Sequence, residues 1–105
     1  MAKSITISGV LRNILDQSAV IIDVLDPESY DKVHIRRAIN VPIKKLEKEA
    51  PEKIDPEMPV ITYSIDYECP ISKMAAEKLE DLGFKDVYYY PGGKKEWLET
   101  EMPVD

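Results

Sequence analysis

Three short apolar runs stand out along the chain: VIIDV at 20–24, VITY at 60–63 and VYYY at 87–90. Each is rich in β-branched or aromatic residues, and each is nearly continuous rather than alternating. Strands buried on both faces read this way, so the three runs predict the middle of a parallel sheet. Two weaker signals flank them. AINVPI, 38–43, predicts a strand whose pairing Pro42 ends. SITIS, 4–8, alternates and predicts an edge strand.

Helical patterns fill the gaps. VLRNILDQ follows Gly9 and has room for two turns. DPESYDK reads as a helix start: Asp26 caps, Pro27 fits the first turn, and Glu28 suits the positive end of the helix dipole. KKLEKEA is short and charged. The clearest helix is ISKMAAEKLEDLG, 71–83, where Ala75, Leu79 and Leu82 fall on one face. Gly83 then fits a C-cap, with Phe84 placed to pack back on the last turn. KKEWLET follows PGG as a final helix. Strands alternating with helices predict an α/β domain with a mainly parallel sheet. In such sheets ligands bind beyond the carboxyl ends of the strands. The loops after Val24, Val41, Tyr63 and Tyr90 gather there, and the longest polar one runs from Ser64 to Pro70.

The totals narrow the classes. A chain of 105 residues, 44% hydrophobic, fits one domain with a real core. A formal net charge of −6 argues against nucleic acid as a partner, because phosphate binding needs clustered Lys and Arg. It leaves room for a locally basic pocket. A single cysteine cannot form an internal disulfide and suits a reducing compartment. No apolar run approaches the roughly 20 residues that cross a membrane. The start, MAKSITISG, lacks the apolar region of a signal peptide. These features together predict a cytoplasmic protein. One Cys and one His are too few for a metal site, and no cofactor is expected.

The order of motifs resembles the rhodanese family. VIIDVLDPESYDKVHIRRAINVPI is similar to its opening half: an Asp-Val strand, a Pro-Glu turn into a short helix, then His-Ile and Ala-Ile-Asn-Val-Pro. ITYS, the loop, and KMAAEKLEDLGFKDVYYYPGGKKEWLETEMPV resemble the second half, with its Leu-Gly-Phe, Gly-Gly, Trp and Met-Pro-Val. The likeness covers roughly residues 5–104. It implies one rhodanese-like domain over 1–105, with a five-stranded, mainly parallel sheet flanked by helices on both faces. It also implies a chemistry: sulfur carried as a persulfide on a loop cysteine, taken from a donor such as thiosulfate and passed to a thiophilic acceptor.

Two departures bear on that chemistry. The usual nucleophile directly follows the Tyr that Tyr63 matches, and Ser64 stands there. Leu25 occupies a position where most relatives carry Arg. The loop resembles a longer form in which a second cysteine lies five positions after the first, and Cys69 matches that second cysteine. The resemblance therefore places the chemistry at Ser64 and Cys69, with the loop residues Ile65, Asp66, Tyr67 and Glu68, and Lys73 beyond them, around the substrate.

A serine hydroxyl gives almost no anion at neutral pH without a base and cannot hold a labile sulfur, whereas a thiol ionises near pH ~8.5. Serine hydrolysis would need a Ser–His pair. His34 is the only histidine and falls in the structural His-Ile segment, and a Gly-x-Ser-x-Gly elbow is absent. A small polar loop residue bonding to the backbone is the plainer account of Ser64. Cys69 reads two ways. Pro70 fits a first helical position, which puts Cys69 near a helix N-terminus that stabilises a thiolate. Asp66 and Glu68 oppose this. The alternative is a small buried hydrophobe. Cysteine phosphatases need Cys-x5-Arg, and no arginine follows Arg37. Lys73 offers only a point charge, and the loop acids disfavour both phosphate and thiosulfate.

KKLEKEAPEK reads as a solvated face, YYY as strand packing, Trp97 as core, and PGGKKEW as a turn that lines the pocket. Two functions follow. One is a rhodanese-family sulfurtransferase whose activity is weak or lost, with residual thiol chemistry at Cys69 and a small sulfur donor or acceptor as partner. The other is a non-catalytic binding or regulatory module with a cationic or neutral protein partner. A cysteine at position 64, one atom away, would make the chain an ordinary sulfurtransferase.

Overall fold

The structure, a computed structural model, describes residues 2–105. Five strands form one sheet: β1 (Lys3–Ser4), β2 (Val20–Asp23), β3 (Ile39–Asn40), β4 (Val60–Tyr63) and β5 (Val87–Tyr90). Their spatial order is β1-β5-β4-β2-β3, and every pairing is parallel. The helices are α1 (Ile7–Asp16), α2 (Pro27–Lys32), α3 (Leu46–Lys53), α4 (Ile71–Asp81) and α5 (Gly93–Glu99), with a 3-10 turn at Ile43–Lys45.

Because β2 and β4 are buried on both faces, consecutive residues feed opposite layers. Ile22, Val24, Val60 and Val87 pack with Leu46 and Ala50 of α3 and with Ala75, Ala76 and Leu79 of α4. Ile21, Ile61, Tyr63 and Tyr90 pack with Val10 and Ile14 of α1 and with Trp97 of α5. Helices therefore cover both faces, as expected. Full burial of a side chain the size of Leu79 contributes about 2 kcal/mol.

Local chemistry sets the element ends. Asp26 caps α2, its Oδ1 accepting from the Ser29 amide at 3.0 Å, with Pro27 in the first turn. Gly83, at φ 98°, ends α4; the Gly83 amide donates to the Glu80 carbonyl and the Phe84 amide to the Leu79 carbonyl. Phe84 is buried against the core.

The structure corrects five expectations. The edge strand is Lys3–Ser4 rather than 4–8. Thr6 instead caps α1, its hydroxyl accepting from the Gly9 amide, so the helix opens at Ile7 and includes Gly9. The strand expected over 38–43 pairs only at Ile39–Asn40. Leu82 lies past the end of α4 and is exposed, because the buried stripe ends at Leu79. Pro70 is the cap of α4 rather than its first helical residue.

Candidate active site

The strand register levels the carboxyl ends of the sheet. Asn40, Asp23, Tyr63 and Tyr90 stand side by side in one row. After β2 the chain turns out to β3, and after β4 it turns the other way to β5. The crevice between β2 and β4 is therefore the topological switch point, the place where parallel sheets hold ligands. Ser64 begins the loop on its β4 side.

Beneath the loop lies a buried polar floor. Asp23 is fully buried; its Oδ2 accepts from the Tyr63 hydroxyl at 2.7 Å and its Oδ1 from the Leu25 amide at 2.9 Å. Burial pushes the Asp23 carboxyl above its usual range, against the pull of those two bonds and of the Lys94 charge. Burial, then the Asp23 charge, raises the Tyr63 phenol, which stays a donor. The Tyr63 oxygen accepts in turn from the Ile35 amide at 3.1 Å. Asn40 Nδ2 ties β3 to this floor through the carbonyls of Asp23 and Leu25, at 3.0 and 2.9 Å.

The first loop residues are pinned from the side by α5. The Lys94 amide donates to the Ser64 carbonyl at 3.0 Å, and the Lys95 amide to the Ile65 carbonyl at 2.8 Å. Gly93 permits this approach: its φ is +66°, and a Cβ there would lie 2.7 Å from the Ile65 carbonyl carbon. Lys94 itself is buried. Its Nζ donates to the carbonyl and hydroxyl oxygens of Ser29, each at 2.8 Å, joining α5 to α2. Burial holds its ammonium below the usual lysine range, and Asp23 and Asp26 oppose that shift.

Ser64 is 1% exposed, and its Oγ accepts from the Ile65 amide at 2.5 Å. Farther along, Asp66 occupies two loop amides: its Oδ1 accepts from Glu68 at 3.1 Å and its carbonyl from Cys69 at 3.2 Å. Cys69 is a free, half-buried thiol. The exposed Tyr67 reaches across to α5, where its hydroxyl donates to Glu96 Oε2 at 3.3 Å. Glu96 Oε1 accepts from the buried Tyr90 hydroxyl at 2.5 Å. Burial and the Glu96 bond raise the Tyr90 phenol, so it too remains a donor.

Between loop and helix lies a half-open cavity of about 270 Å³, lined by Asp66, Tyr67, Glu68, Gly92, Lys95, Glu96 and Glu99. Four carboxylates face one ammonium there. Of the residues singled out from sequence, Asp66, Tyr67 and Glu68 line this cavity. Ser64 is buried and lies outside the lining. Ile65 is 41% exposed and Cys69 half-buried, both outside the lining. Lys73 is exposed on the first turn of α4 and also lies outside it. His34 is engaged elsewhere, stacked on Tyr30 at 3.7 Å between ring centroids, its Nδ1 hydrogen-bonded to the Tyr30 carbonyl. Among the described residues, no group of three or more His, Cys, Asp or Glu gathers as a metal site. The PGGKKEW segment, expected to line the pocket, does so through Gly92, Lys95 and Glu96; sequence reading did not find the Asp23 floor or the Lys94 strut. The spacing of Lys95 and Glu99, four apart on one helix face, was the available signal that the wall continues to Glu99.

Comparison with known proteins agrees with this architecture. The thiosulfate sulfurtransferase GlpE of Coxiella burnetii is 41% identical over 78 residues, which span 74% of this chain and 70% of that protein. The putative sulfur carrier protein YrkF of Bacillus subtilis is 33% identical over 82 residues, 78% of this chain but 43% of that longer protein. Among solved structures, a Bacillus halodurans protein superposes with a TM-score of 0.91 at 27% identity, covering 99% of this chain and 77% of its own. A rhodanese-related protein from Thermoplasma volcanium gives 0.81 at 26% identity, covering 98% and 97%. Residues 8–100 match the family described as Rhodanese-like domain. That span runs from the first turn of α1 through the end of α5, and on it the chain belongs to the rhodanese-like domain family.

Proposed function

We propose that this chain is a sulfurtransferase-type domain whose thiosulfate activity is weak or lost because Ser64 occupies the sulfur-carrying position, and that its remaining thiol chemistry passes through Cys69. The observation that carries this reading is the placement of the Ser64 hydroxyl. It sits at the carboxyl end of β4, buried, with its oxygen against the first loop amide. A sulfur there would be a polarizable, ionisable nucleophile beside the Ile65 amide; an oxygen accepts the same bond and carries no sulfane sulfur. The relatives named for thiosulfate sulfur transfer and for sulfur carriage support the chemical class.

At Cys69 the balanced step is attack of the thiolate on the outer sulfur of thiosulfate. The S–S bond of the donor breaks, sulfite leaves with its electron pair, and a Cys69 persulfide forms. An acceptor thiolate or cyanide then takes the outer sulfur and regenerates the thiolate. A reducing cytoplasm would keep this thiol free. The test is incubation with thiosulfate or polysulfide followed by mass spectrometry. One added sulfur atom located on Cys69, and absent from Cys69→Ala, supports the reading; no adduct with any donor removes it.

A second reading is favoured by the cavity beside α5. Its four carboxylates repel a dianionic donor and suit a cationic or neutral partner. On this reading the domain binds such a protein partner and performs no transfer. Robust sulfur transfer with no captured partner would eliminate it.

A further inference from the structure

A second pocket lies on the other side of the switch point, and neither reading above uses it. It has a volume of about 280 Å³ and opens between the start of α2 and the 3-10 turn after β3. Val24, Pro27, Pro42 and Ile43 give it an apolar interior. Val24 is 2% exposed and forms the floor; Pro42 and Ile43 are half-buried walls. The rim carries Lys44 and Lys45 against a single acid, Asp26, whose Oδ1 already accepts from the Ser29 amide. Lys44 and Lys45 are exposed, and among the described residues neither forms an ion pair. The pocket is held in shape by the Ile43 amide, which donates to the Val24 carbonyl at 3.1 Å, and by Asn40 Nδ2 on the Leu25 carbonyl.

The contrast with the rest of the molecule decides the ligand class. The chain carries a net charge of −6, and the cavity beside α5 is acidic. This hollow at the strand ends is apolar and its rim carries more cations than acids. Apolar walls with few, convergent charged groups are the usual make-up of a small-molecule site, and the carboxyl edge of a parallel sheet is its usual place. The pocket also adjoins the loop. The Val24 amide donates to the Tyr63 carbonyl at 3.2 Å, so its floor is one strand away from Ser64.

We propose that this pocket binds a small organic anion: an apolar body of about ring size resting on Val24, Pro42 and Ile43, with a sulfonate- or carboxylate-type head between Lys44 and Lys45. An inorganic anion such as sulfate satisfies the lysines alone and leaves the apolar walls wet. The inference stands independently of sulfur transfer, since it concerns binding only.

The experiment is a titration of the isotopically labelled full chain with benzenesulfonate, followed by amide chemical shifts. Methanesulfonate, sulfate and benzyltrimethylammonium serve as parallel arms. Saturable shifts at Val24, Ile43, Lys44 and Lys45 with a roughly millimolar Kd are expected for a ligand of this size. Methanesulfonate and sulfate should bind at least about tenfold more weakly, from the lost apolar burial. The double variant Lys44→Gln/Lys45→Gln should weaken benzenesulfonate about fivefold, as two exposed charge contacts would. Shifts confined to the Asp66–Glu99 cavity would overturn the proposal. So would equal binding of sulfate, preference for the ammonium probe, an unaffected double variant, or no saturable shift at all.

Discussion

The Tyr63 hydroxyl donates a 2.7 Å hydrogen bond to the carboxylate of Asp23, its neighbour across the β2–β4 pair, and both residues are fully buried. The same phenol oxygen receives the Ile35 amide at 3.1 Å. One side chain thus satisfies a buried acid and a buried amide. Tyr63→Phe leaves both without that partner, and a buried group left unpaired costs about 1–3 kcal/mol. We expect a loss of about 2 kcal/mol or more in urea unfolding. The double variant Tyr63→Phe/Asp23→Asn should lose less than the sum of the two single changes, since they share one interaction. Additive losses would show that the pair is not coupled.

Asp23 also predicts a pH dependence. Burial raises its folded carboxyl above the ordinary 3.8, with the Tyr63 and Leu25 bonds and the Lys94 charge only partly offsetting this. Between the ordinary value and the raised one, the folded state binds more protons than the unfolded chain. Stability from this group therefore falls as pH rises through that window and is regained on acidification. Asp105 acts in the opposite sense: the Arg37 amide and the Arg36 charge lower its carboxyl, so its contribution is lost as pH falls. Subtracting the stability profile of Asp23→Asn from that of the parent isolates the first effect. The difference should move in favour of the parent as pH drops from neutral towards 3.8. A difference that moves the other way would mean that the hydrogen bonds outweigh burial.

The glycines give a sharper contrast. Gly93 and Gly83 both have positive φ, +66° and +98°. A Cβ at Gly93 would meet the backbone of Ser64 and Ile65 at 2.7–2.8 Å, whereas one at Gly83 would meet nothing within 4 Å. Gly83→Ala should therefore cost only about 1 kcal/mol, the conformational strain alone. Gly93→Ala adds a clash with backbone that cannot rotate away, and about 3 kcal/mol or more is expected. Thermal unfolding of the two variants checks the order. Equal losses would show that the loop yields freely to α5.

These relationships mark the limit of what was legible beforehand. The runs at 20–24, 60–63 and 87–90 declared β2, β4 and β5 because burial on both faces leaves a continuous apolar signal. Asp26-Pro27-Glu28 and Gly83-Phe84 declared helix ends because capping is local chemistry. The segment 4–8 misled for the same reason that it signalled: Ile5 and Ile7 both pack on the core beside α1, and this mimics strand alternation. The Thr6 hydroxyl, accepting from Gly9, caps a helix there instead. The floor of the site and the strut beside it were invisible. Tyr63–Asp23 and Lys94–Ser29 join residues 40 and 65 positions apart, and their pairing exists only once the sheet is assembled. The loop could be found from sequence because strand ends locate sites; its electrostatic setting could not, because that setting comes from α5 and β2.

The most direct prediction concerns the atom at position 64. The Ser64 oxygen already sits against the Ile65 amide, with its own carbonyl fixed by Lys94. Ser64→Cys would place a thiol in the same frame, where the Ile65 amide favours its ionised form. Sulfur transfer from thiosulfate to cyanide should rise on the order of tenfold or more over the parent, since a thiolate replaces a hydroxyl that does not ionise. The added Cys69→Ala change should leave that gain largely intact if position 64 carries the sulfur, while in the parent it should abolish whatever transfer remains. The acids at Asp66 and Glu68 oppose a dianionic donor, so the gain should be larger with a neutral or monoanionic donor than with thiosulfate. A Ser64→Cys variant that folds as the parent does yet transfers no sulfur from any donor would assign the loss to the loop rather than to the missing sulfur, and would favour the binding-module reading.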